Sequence, residues 1–120
     1  MPFAAVAAFL LALAVALGAF GAHALKAQLD ASSLGIWEKA VFYHFIHALG
    51  MLIVASMAKL REPAADLVCW LLLGGILLFS GSLYLLALTG TRILGAVTPF
   101  GGVAFIAAWL ILGWNLLRKS

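Results

Sequence analysis

Residues 2–25 read PFAAVAAFLLALAVALGAFGAHAL, a run of 24 residues without a Lys, Arg, Asp or Glu. An α-helix rises about 1.5 Å per residue and the hydrocarbon of a bilayer is about 30 Å thick, so about 20 apolar residues cross it. The run is long enough to span. Outward from it, the 7 basic and 4 acidic side chains fall in four places only: Lys26 to Lys39, Lys59 to Asp66, Arg92, and Arg118 with Lys119. Three further uncharged windows lie between them, at 40–58, 67–91 and 93–117. The pattern predicts an all-α membrane protein of one domain, with spans at about 3–25, 37–58, 67–88 and 98–117.

Composition points the same way. With 67% hydrophobic and 9% charged residues and a mean hydropathy of +1.21, a soluble domain of 120 residues could not hide its apolar surface. Four spans and three connections also leave no residues for a catalytic lobe outside the membrane. The net charge of +3 comes from basic residues placed singly or in pairs at span ends, where they meet lipid headgroups. No basic stripe interleaved with aromatics exists, so nucleic acid is not an expected partner. A single cysteine, Cys69, excludes an internal disulfide and any CxxC motif.

Ala22-His23-Ala24 has the small-x-small form of a signal cleavage site. No Lys or Arg precedes the apolar run, however, and the run exceeds a usual signal core, so it is read as a retained span. An even number of spans puts both termini on one side. That side carries Lys59, Arg61, Arg118 and Lys119 against Lys26, Lys39 and Arg92 on the other, a small excess that puts the termini in the cytoplasm. Trp37, Trp70 and Trp114 stand at span ends and read as interfacial anchors.

Helices in lipid approach one another through small residues. On the first span, Ala5, Ala8, Ala12, Ala16, Ala19 and His23 form one stripe, which is expected to face protein. On the second, Ala40, Tyr43, His44, His47, Gly50, Met51, Val54 and Ala58 share a face, with Phe42, Phe45, Ile46, Leu49, Leu52 and Ile53 opposite. Gly74 and Gly81 stack two turns apart on the third span, beside Gly75 and Ser82. Gly101, Ala104, Ala108 and Asn115 line the fourth. Together they predict a compact four-helix transmembrane bundle with short loops. Thr98-Pro99 reads as the start of the fourth helix. Ser33 or a neighbour reads as the N-cap of the second, with Glu38 in its opening turn.

Phe20-Gly21-Ala22-His23-Ala24-Leu25, Trp37 through Tyr43 to His47-Ala48-Leu49, Phe79-Ser80-Gly81-Ser82-Leu83-Tyr84 with Leu88-Thr89-Gly90, and Thr98-Pro99 followed by Gly101-Gly102 occur in that order. The chain thereby resembles, over nearly its whole length, the domain of unknown function 423 family. Its members are small bacterial inner-membrane proteins with a short transmembrane relative in animals. The resemblance implies a four-helix, multi-pass protein of the bacterial inner (plasma) membrane and brings no activity, substrate or catalytic residue with it.

The polar residues inside the spans are where chemistry is to be sought, since ionisable groups there are costly. His23, Tyr43, His44, His47, Ser80, Ser82 and Tyr84 are expected to gather in the leaflet that holds the first loop, with His23 and His44 as neighbours. Such a cluster reads as interhelical hydrogen bonding or as a proton or ligand site. A metal needs more donors than His44 and His47 supply, and no acidic or thiol group is predicted beside them. No cofactor is assigned. No phosphate-binding loop, acidic pair or Ser-His-acid set is present, so no enzyme class is indicated. The expectation is an integral membrane protein that binds another membrane component, whether a second copy, a partner or a lipid-like ligand. The alternatives are a small transporter or proton-linked channel using the histidines, and an accessory protein holding haem or quinone.

Overall fold

Asp30 decides where the second helix begins. In the computed structural model, which describes residues 1–57 and 64–119 (Lys119 in its backbone only), Asp30 has extended backbone and its Oδ1 accepts the Ser33 N–H at 2.7 Å. That satisfies one of the orphan donors of a helix start. The cap is therefore Asp30 rather than Ser33, and helix α2 (Ala31–Ser56) starts six residues before the sequence-based boundary at 37. Its 26 residues measure about 39 Å, longer than the hydrocarbon is thick, so its first turns reach the headgroup level. Glu38 stands two turns into the helix.

Helix α1 (Phe3–His23) precedes it, joined by a short 3₁₀ turn at Leu25–Ala27. Helix α3 runs over Ala64–Thr89 and is α-helical except for one π-helical turn, Ile76–Ser80. It ends at Gly90, whose φ of 69° is the left-handed conformation that glycine adopts without steric cost. A 3₁₀ turn at Arg92–Ala96 leads into α4 (Thr98–Lys119), with Pro99 in its first turn. No strand occurs among the described residues. Ala58, Lys59 and Arg61 lie outside them.

Helix α2 is central: it packs against α1 and against α3, and α3 packs against α4. Large side chains of α4 close the remaining gap, because Phe105 stacks on His47 and Trp109 lies against Gly50. The main core, around Ala7, Met51, Leu72, Phe105 and Ala108, fills the half of the molecule away from the first loop. A smaller one, around Leu25, Trp37 and Ala87, fills the other half.

The α2 face expected to be inside is inside: Ala40, His44, His47, Gly50, Met51 and Val54 are buried. The α1 stripe is not. Ala5, Ala8, Ala12, Ala16 and Ala19 are exposed, and the buried positions are Phe3, Ala7, Ala14 and Gly21, with Leu10 and Leu17 half-buried between them. Those six alternate by four and three, the spacing of a helix seam. With nine alanines spread around α1, residue size alone could not select the face. Trp37 selects it, because its indole lies where a Cβ on Gly21 would be.

Two further packing assignments are corrected. A Cβ added to Gly74 or Gly81 would meet nothing within 4 Å, so neither is a close-approach site. Gly75, one residue on, faces the Phe105 ring. Gly74 and Gly81 do share surroundings, but on the open side of α3; the pair beside them, Gly75 and Ser82, is buried on the side of α4. Gly101 does pack closely, against the backbone of Phe79 in the π turn, and Ala108 is fully buried.

Candidate functional site

The longer α2 moves its histidines deeper than the sequence-based boundary places them. His44 is 13 residues from the start of the helix, about 20 Å along the axis, near mid-membrane. There it joins three helices. Its Nε2 lies 2.9 Å from the Leu10 carbonyl of α1 and its Nδ1 lies 2.8 Å from the Tyr84 hydroxyl of α3. A carbonyl can only accept, so Nε2 carries the hydrogen, and in the neutral ring Nδ1 accepts from Tyr84. The Tyr84 ring in turn packs on Trp37, with centroids 4.7 Å apart, and the Trp37 Nε1–H donates to the Leu17 carbonyl at 3.0 Å.

His47, a turn further on, is engaged separately. Its Nδ1–H donates to the Tyr43 carbonyl at 2.8 Å, and its ring stacks on Phe105 with centroids 3.5 Å apart. Tyr43, Phe79 and Trp109 complete an aromatic cluster around it. Ser80, at the end of the π turn, donates to the Ala40 carbonyl at 2.7 Å. Ser82 and Thr98 place their hydroxyls 2.6 Å apart and share one hydrogen bond in which either can donate, since each also reaches a carbonyl of its own, Phe79 at 2.9 Å from Ser82 and Leu94 at 3.4 Å from Thr98. Each of these bonds except those of His47 and the Ser82–Phe79 and Thr98–Leu94 pairs ties one helix to another.

His23 stands apart from all of this. It is exposed at the end of α1, 13 residues or about 20 Å along that helix from Leu10, the level of His44. The expected His23–His44 neighbourhood is thus corrected, as is the single-leaflet cluster. Among the described residues no group of three His, Cys, Asp or Glu side chains comes together. Both nitrogens of His44 are occupied, which leaves it no lone pair for a metal.

A separate opening lies between α1 and α2 at the first-loop end. It is a groove of about 650 Å³, within the size range of small-molecule sites. Gly18 and Ala22 of α1 provide the space by having little side chain; Val41, Phe45 and Ile46 of α2 form the other wall, and Trp37 lies at the base. Lys26 and Glu38 stand in its lining, both exposed. Among the described residues no ion pair joins them. Sequence reasoning misses this groove because Trp37, at a span end, reads as an interfacial anchor, whereas it is 3% exposed and built into the helix contact. The Gly18 and Gly21 pair, one turn apart on an alanine-rich helix, is the available signal. Trp70 and Trp114 are exposed, as anchors are.

Four apolar helices long enough to span a bilayer define a multi-pass integral membrane protein. The sequence matches the family described as "Protein of unknown function (DUF423)" over residues 17–102, and the chain belongs to it. It is 51% identical over 100 residues to a UPF0382 membrane protein of Staphylococcus saprophyticus, covering 83% of both chains. It is 48% identical over 102 residues to the UPF0382 membrane protein YwdK of Bacillus subtilis, again over 83% of both. A UPF0382 membrane protein of Staphylococcus aureus is 43% identical over 83% of this chain and 82% of its own. No solved structure matches.

Proposed function

We propose that this protein is a non-enzymatic component of the bacterial plasma (inner) membrane that binds a lipid-like molecule in the groove between α1 and α2. The groove carries the reading: it opens toward lipid, since Phe42 and Ile46 at its edge are 58% and 42% exposed, and its inner wall is apolar. An acyl chain from the bilayer could enter without crossing a polar barrier.

The transporter reading draws less support from the same geometry. A relay needs groups that pass a proton on, and the Tyr84–His44 chain ends on the Leu10 carbonyl. The His47 proton likewise ends on the Tyr43 carbonyl. The Tyr84–His44–Leu10 bonds form a polar lock between helices, each worth about 1 kcal/mol. The proposed topology has both termini in the cytoplasm and the first loop outside.

The test is lipid analysis after extraction. Ala22 lines the groove and is exposed, so Ala22→Phe fills it without disturbing the core. The parent, extracted from its native membrane, should retain a defined amphiphile through purification and the variant should not. Equal retention would exclude the groove as the site.

A further inference from the structure

Resting on that reading, we propose that the groove selects a phospholipid whose headgroup carries both a phosphate and a protonated primary amine, the ethanolamine class. Lys26, in the turn after α1, and Glu38, on α2, both line the groove, are exposed and carry opposite charges. A lone basic residue would fit any anionic lipid, but a carboxylate in the same groove repels a second negative charge. A zwitterion answers both: its phosphate meets the Lys26 ammonium and its amine meets Glu38.

The amine must also carry N–H donors. A charge-assisted hydrogen bond to a carboxylate is stronger than charge proximity alone, and a quaternary choline has no hydrogen to give. Glycerol headgroups lack the positive charge altogether. Away from these two charges the wall offers no polar alternative, because the Trp37 Nε1–H is already used on the Leu17 carbonyl. From Leu34 to Ile46 the groove follows α2 for about 18 Å, comparable to the ~15 Å depth of one leaflet's hydrocarbon. One lipid of that leaflet, with its head at Lys26 and Glu38 and a chain along Val41, Phe45 and Ile46, matches these dimensions.

Lys26 and Glu38 are exposed, so substituting either leaves the core intact. The experiment reconstitutes the full chain in nanodiscs of equal parts phosphatidylethanolamine, phosphatidylcholine and phosphatidylglycerol, and reads retained lipid by native mass spectrometry. The ethanolamine lipid should be enriched about two- to fivefold, the range an exposed ion pair supplies. Glu38→Gln should abolish that enrichment, and Lys26→Gln should lower retention of all three classes. Enrichment of another class, no enrichment, or enrichment that survives Glu38→Gln would overturn the headgroup assignment while leaving the groove as a lipid site. If the parent retains no lipid, or Ala22→Phe retains as much as the parent, the groove reading itself fails and this assignment with it.

Discussion

His44 Nδ1 and the Tyr84 hydroxyl are 2.8 Å apart although the residues are forty positions apart in the chain, and with the Leu10 carbonyl they join three helices at one imidazole. No hydrophobic effect drives helices together in lipid, so such bonds and close packing set the arrangement.

Tyr84→Phe removes the donor and leaves Nδ1 buried without a partner. It should lower the stability of the purified protein by about 1–3 kcal/mol, seen as a reduced melting temperature. In a double-mutant cycle with His44→Leu, the two changes should couple by about 0.5–2 kcal/mol; strict additivity would mean that the bond carries no weight.

Glycine substitutions should separate the close contacts from the open ones. Gly101→Ala pushes a Cβ into the backbone of Phe79 and should destabilise by about 1–3 kcal/mol. Gly81→Ala meets open space inside a helix, and should stabilise by about 0.5–1 kcal/mol. Thermal melts that reversed the order would displace the α3–α4 contact.

Asp30 supplies the pH dependence outside the membrane. The Ser33 amide beside its carboxylate holds its pKa below the ordinary value of 3.8. A depressed folded-state pKa stabilises above the unfolded value, and that contribution is lost as pH falls through the folded one. The stability difference between the parent and Asp30→Ala should therefore be constant at neutral pH and vanish in acid below 3.8. A difference that grows on acidification would contradict the cap.

The proposed topology puts the first loop and the N-terminus on opposite sides. A cysteine at Ser33 in a Cys69→Ala background should react with an impermeant maleimide added outside intact cells, while an N-terminal tag stays protected. Labelling of both from outside would refute it.

Charge intervals make the four helices legible, because the cost of a charge in hydrocarbon is large and local. The inner face of α2 is legible too, since its polar and small residues coincide on one side. On α1, alanine occurs on every side and the deciding contact, Trp37 over Gly21, is a long-range one. The π turn leaves no mark in Ile76–Ser80 that composition could expose, and periodicity alone could not tell which of the two adjacent seven-residue pairs on α3 packs: Gly75 with Ser82 is buried, and Gly74 with Gly81 is open. The cap at Asp30 is within reach, as Asp is a preferred N-cap, but the uncharged-window criterion draws the boundary inside the charged loop.

The central claim is that α1 and α2 hold a lipid between them. Its most direct measurement is cross-linking with a phosphatidylethanolamine that carries a photoreactive diazirine in its acyl chain, with the adducts located by peptide mapping. Adducts should concentrate on the groove wall, at Val41, Phe45 and Ile46, and disappear in Ala22→Phe. Adducts spread equally over Phe100 and Leu110, exposed on α4, would contradict it.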